Sequence, residues 1–245
     1  MIKTVFDKSC IFLKGLCAIM VYVTGDLHGD LNRLEAIKLK KGDTLIVCGD
    51  FGFVWDGSAM EEKALRRLGK KKWNICFIDG THEGFDLLDG YDVGVFCGGK
   101  AHNISGNLYH LMRGQIFSIE GETYFTMGGG ESPDIELLFE NGAWSRRETP
   151  SAEELTEGAE NIEKCGCRVD YIITHEPPAK IKNFLCLHNE RPATISGLNA
   201  YFDELNDSCE YKRWFFGSMH LDKRVSTSCI AVYKKVICAS TGESI

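Results

Sequence analysis

Val21-Tyr22-Val23-Thr24-Gly25-Asp26-Leu27-His28-Gly29-Asp30 is the stretch from which the rest of the chain is read. Four β-branched or aromatic residues form a short run. The run stops at a glycine, and an Asp and a His follow it two positions apart. Such a run, bounded by a turn residue, predicts a buried strand. Asp30 is placed to cap a helix whose apolar face is Leu31, Leu34 and Ile37. The unit then recurs. Thr44–Cys48 predicts a second strand, and it ends at Gly49-Asp50. Ser58-x-x-Glu61 reads as a capping box, with Met60, Ala64, Leu65 and Leu68 along one helical face and Gly69 at its end. Asn74–Ile78 is a third strand. This alternation implies parallel strands covered on both faces.

Downstream the character changes. Residues 93–97, 107–112, 115–120 and 123–127 are strand candidates separated by turn residues with no helix between them, so neighbours are expected to pair antiparallel. Pro150 and the box Ser151-x-x-Glu154 open a helix over 151–164. A strand over 170–174, a helix over 194–205, the strand Arg213–Phe216, and two last strands near 229–233 and 236–239 complete the reading. The expected class is α/β, with two sheets and flanking helices. Residues 1–19 are broken by Lys3, Asp7, Lys8 and Lys14, too often for a membrane span or a good signal peptide. They read as an appendage to a single domain over 20–245, with Met20 directly before the first strand.

The chain has 245 residues and a net charge of −7, which argues against broad binding to long nucleic acid. A small phosphorylated substrate or a phosphoprotein stays open, because a bound metal supplies local positive charge that net charge does not count. No stretch reads as membrane-spanning. Eleven cysteines without a CxxC pair point to free thiols in a reducing, cytoplasmic compartment.

Ligand-type residues close five of the apolar runs: Asp26 and His28, Asp50, His82, His175, and His220. Any one alone reads as a capping Asp or a core His. Five in the same relation to a strand read as a site, since open α/β sheets form sites beyond the carboxyl ends of their strands. Asp26 and His28, at i and i+2, share a face. Carboxylate and imidazole donors without thiolates suit Mn, Fe or Zn.

The series Gly25-Asp26-Leu27-His28, Gly49-Asp50, Gly80-Thr81-His82-Glu83, Thr174-His175 and Gly217-Ser218-Met219-His220 resembles the calcineurin-like metallophosphoesterase superfamily. That family carries D-x-H, GD, GNH(D/E), a lone H and GHxH in this order. The resemblance covers residues 20–220 and implies a four-layer αββα sandwich of two packed mixed sheets. It also implies hydrolysis of phosphomonoesters or phosphodiesters by metal-activated water. By the same resemblance Asp26, His28, Asp50 and His220 hold a first metal, Asp50 and His175 a second, and His82 is the general acid.

Two positions depart from the pattern. Thr81 stands where the family has Asn, and Ser218 where it has the first His of GHxH. Both offer short neutral hydroxyls, so one metal is expected to be held tightly and the second weakly or not at all. The Asp that orients the acid His in Ser/Thr protein phosphatases corresponds to Phe53, which leaves Asp79 or Glu83 as substitutes. Arg113 could hold a phosphate oxygen, and the Gly128-Gly129-Gly130 turn could offer amides to one. An exposed arginine and an ordinary turn are the plainer readings. The expected function is a phosphoesterase impaired at its second metal. The alternative is a silent relative that binds one metal or a phosphorylated ligand.

Overall fold

The computed structural model describes residues 19–132, 145–189 and 192–245. The first eighteen residues of the expected appendage lie outside them. The chain runs β1 (Val21–Thr24), α1 (Leu31–Ala36), β2 (Thr44–Cys48), α2 (Ala59–Leu68), β3 (Asn74–Ile78) and the one-turn α3 (Phe85–Leu88). Then come β4 (Val93–Phe96), β5 (Gly99–Ser105), β6 (Leu108–Leu111), β7 (Gln115–Ile119) and β8 (Glu122–Met127). The second half carries α4 (Ala152–Lys164), β9 (Tyr171–Thr174), α5 (Ala179–Leu185), α6 (Gly197–Ser208) and β10 (Arg213–Phe216). The last strands are β11 (Lys223–Arg224), β12 (Cys229–Ala231) and β13 (Ile237–Cys238). Among the described residues no helix is long and apolar enough to cross a membrane.

Alternation along the central strands builds the layers. In β2, Ile46 and Cys48 face β-strand residues of the other sheet, such as Ile173 and Phe215. Leu45 and Val47 face outward, against Leu34 of α1 and Leu65 and Leu68 of α2. In β10, Phe215 enters the layer between the sheets, while Trp214 and Phe216 pack outward under Ile162 of α4 and Phe202 of α6. A strand covered on both faces reads as a continuous apolar run, as these do. The result is two mixed sheets between helical layers, of order β13-β1-β2-β3-β6-β5-β4 and β11-β12-β10-β9-β8-β7.

β1, β2 and β3 run parallel in one sheet, and β8, β9 and β10 in the other. The expected antiparallel pairing of neighbouring strands holds for β7–β8; β4 and β6 do not pair with each other, because the unexpected β5 lies between them and pairs antiparallel with both. β6 also pairs parallel with β3, and β7 belongs to the other sheet. β5 was hidden by its Gly-Lys start and polar residues. Met60 is 81 % exposed rather than on the buried face of α2. The box at Ser58 is half-formed. Ser58 caps Glu61 N–H, but the Glu61 carboxylate turns to the N–H groups of Trp55, Asp56 and Gly57. The box at Ser151 is complete.

Candidate metal centre

Both parallel sets end at one edge of the sandwich, and the chain leaves each strand through a tight turn. His28, Asp50, Ser218 and His220 all have positive φ, between 44° and 59°. Non-glycine residues are held there at a cost of about 1 kcal/mol or more each, and such strain clusters at functional sites. Two glycines make the closeness feasible. A Cβ on Gly80 would overlap Asp50 Oδ1, and one on Gly217 would overlap Asp26 Oδ1.

Six side chains from five strand ends converge. His220 Nε2 lies 3.1 Å from Asp26 Oδ2 and 3.2 Å from His28 Nε2. His28 Nε2 is 3.8 Å, and His82 Nδ1 3.2 Å, from Asp50 Oδ2. His175 Nε2 is 3.7 Å from Asp50 Oδ1. Potential ligand atoms of Asp26, His28 and His220 lie within 4.8 Å of one another, as do those of His28, Asp50 and His82.

The donor set fits a divalent cation. Asp26 Oδ2 is buried and, apart from the ion-pair contact with His220 Nε2 at 3.1 Å, has no hydrogen-bond partner. Two imidazole nitrogens turned toward each other beside an unsatisfied carboxylate oxygen leave a position for a positive charge. His175 Nδ1–H donates to Cys48 O at 2.9 Å, which turns its Nε2 toward the site.

Electrostatics reflect the crowding. Burial pushes the Asp50 carboxyl up, but the His175 charge and hydrogen bonds from the His82 side chain and backbone outweigh it and hold Asp50 below the usual carboxylate range. Burial pushes His175 down, and the carboxylates of Asp50, Asp26 and Glu176 reverse this and raise it to about 9. The hydrogen bond to Asp50 raises His82.

A model of the calcineurin-like phosphoesterase family matches residues 19–221. The chain belongs to the calcineurin-like phosphoesterase family. No curated protein matches it. Members of this family are usually hydrolases of phosphate esters that use divalent metals. In this family member the Asp/His positions meet at one edge; of the two departing positions, the Ser218 hydroxyl turns to Glu176 and Thr81 stays against His82 and Asp50. Ser218 Oγ donates to Glu176 Oε1 at 2.7 Å. Thr81 Oγ1 lies 3.0 Å from His82 Nδ1, and Thr81 N–H donates to Asp50 Oδ1.

Several expected roles are not seen. Arg113 is neither an exposed turn residue nor a phosphate contact. Its side chain is 2 % exposed and bonded to Asp79 at 2.8 Å and Glu154 at 3.1 Å. The amides of Gly129 and Gly130 donate to the Asp79 and Glu148 carbonyls, so neither is free for a phosphate, although Gly130 lies against Thr81 and His175. Asp79, paired with Arg113 and His110, does not reach His82. Glu83 accepts from Phe51 N–H and Gly52 N–H instead. Two groups lie at His82 Nδ1: Asp50 Oδ2 at 3.2 Å and Thr81 Oγ1 at 3.0 Å.

Three contributors were missed. Glu176, buried beside His175, gathers Ser218, Lys182 and Asn199. Arg33 donates to Asp26 O and Thr24 Oγ1 and so fixes the end of β1. Tyr233 stacks on His220 with ring centroids 4.7 Å apart. Only the position of Glu176, next to His175, offered a signal in the sequence.

Proposed function

We propose that the protein hydrolyses phosphomonoesters or phosphodiesters, with one metal tightly held by Asp26, His28, Asp50 and His220. A second would be weakly held by Asp50 and His175. The observation that supports this is the buried, unpartnered Asp26 Oδ2 facing His220, beside the His28–His220 contact. A divalent cation there, Mn in our reading, supplies charge against phosphate oxygens and lowers the pKa of a water. The chain's own groups do the rest. Asp50 orients His82 through Nδ1, and the imidazole is 56 % exposed with no protein partner for Nε2 among the described residues. In its cationic form His82 carries a proton at Nε2 to give to the leaving oxygen.

The substrate we favour is a small phosphorylated molecule or a phosphoprotein rather than long nucleic acid. The nine described cysteines are all free thiols, and we place the protein in the cytoplasm on that basis. A panel of aryl phosphate monoesters and diesters, assayed with Mn, Fe or Zn and after chelation, tests the activity. Turnover that appears with metal and vanishes with chelator is expected. Failure to hydrolyse with every metal would favour a silent module that binds one metal or a phosphorylated ligand. That second reading draws on Ser218, whose hydroxyl is already committed to Glu176.

A further inference from the structure

A groove of about 210 Å³ lies along β11, the edge strand of the second sheet. Lys223, Arg224 and Lys235 line it together with Asp222, Gly242 and Glu243. None of the candidate metal ligands belongs to it. Arg213 reaches the same place from the start of β10. A Cβ on Gly242 would meet Arg224 Nη2 at 2.7 Å and Arg213 Nε at 3.0 Å, so two guanidinium groups flank one α-carbon.

These cations are not neutralised in the ordinary way. Arg213 donates to the carbonyls of Ala239, Ser240 and Thr241, and Arg224 to those of Thr227 and Gly242. Lys223 lies over the Phe184 ring, 5.4 Å from its centroid. Among the described residues none of Arg213, Lys223, Arg224 and Lys235 pairs with a carboxylate, whereas Arg113, Arg147, Lys182 and Lys212 all do. Arg213 Nε is buried and lacks any partner. On the acidic side, Asp222 is engaged by the backbone N–H groups of Tyr233, Lys234 and Lys235, which leaves Glu243 as the one lining carboxylate without such a partner. In a chain of net charge −7, this local excess of positive charge focuses a field that favours anions.

We propose that the groove is an anion site that takes a phosphate-type oxyanion between Arg224 and Lys235, on the face of β11 opposite the Lys223 side chain. Guanidinium and ammonium donors match such an anion, and the volume is smaller than a typical pocket for a whole organic ligand. The ligand is therefore a free ion or the terminal phosphate of a larger molecule. The site does not depend on the reading of the metal centre.

Calorimetric titration of inorganic phosphate into metal-stripped, desalted protein at fixed ionic strength tests it. Without metal, the carboxylates of the centre disfavour an anion there. One phosphate per chain is expected, with a Kd on the order of 1 mM. The Arg224→Gln/Lys235→Gln double variant changes two exposed side chains and should bind at least about tenfold more weakly. Glycerol phosphate separates the two sources. Tighter binding than inorganic phosphate assigns the groove to an esterified phosphate, and equal or weaker binding assigns it to the free ion. No binding of either up to about 50 mM, or the same affinity in the double variant, would overturn the proposal.

Discussion

Ser218 and Thr81 place short hydroxyls where the family pattern has an imidazole and an amide, and these hydroxyls meet Glu176 and His82. Replacing them as a pair, Thr81→Asn with Ser218→His, should raise both the metal content per chain and the turnover of an aryl phosphate in manganese. If neither rises, the ligand assignment at these positions is wrong. His82→Ala should lower turnover by about 10²-fold or more, the ordinary worth of a general acid, with metal content kept. Equal loss of metal would instead make His82 a ligand, which its place beside His28 and Asp50 also permits. Away from the site, burial and the neighbouring His110 lower His102 to about 4. The unfolded chain takes up this proton near pH 6.5 and the folded chain does not. Stability from this residue is therefore intact above about pH 6.5 and is lost as pH falls toward about 4. The urea midpoint should fall less from pH 7 to pH 5 in His102→Phe than in the unchanged protein, and equal falls would refute this.

Among elements, the end of β3 is tied to α4 by a buried charge network. Arg113 joins Asp79 to Glu154, and Asp79 also accepts from His110. Arg113→Met would strand Asp79 in the interior, at a cost of about 3–5 kcal/mol. Chemical denaturation measures this, and a loss under about 1 kcal/mol would show that Arg113 is dispensable. The parallel strands were legible because each is a compact apolar run, four of them closed by Gly-Asp, Gly-Thr-His or Thr-His, and burial on both faces produces such runs. β5 was not, because Gly99, Lys100, His102 and Asn103 break the pattern, and its pairing with β4 and β6 sustains it. The short helices α3 and α5 were also missed, since neither has a side-chain cap. Arg33, Tyr233 and Arg113 act through partners distant in sequence, which no local pattern reports. Arg113 looked like a turn arginine for that reason.

For the molecule as a whole, the sandwich brings the carboxyl ends of two separate parallel sets to one edge. Asp26, Asp50 and His82 come from the first sheet, and His175 and His220 from the second. A cation held among them would therefore tie the two sheets together as well as serve chemistry. This arrangement followed from strand order and from the residue types at strand ends. The direction of the Thr81 and Ser218 hydroxyls did not, because it is set by their neighbours His82 and Glu176. Counting metal per chain by mass spectrometry, after purification in manganese and exhaustive dialysis, tests the central claim most directly. About one ion per chain in the unchanged protein, and almost none in Asp26→Asn, is the predicted result. No ion in the unchanged protein, two ions that survive dialysis, or an undiminished count in Asp26→Asn would contradict it.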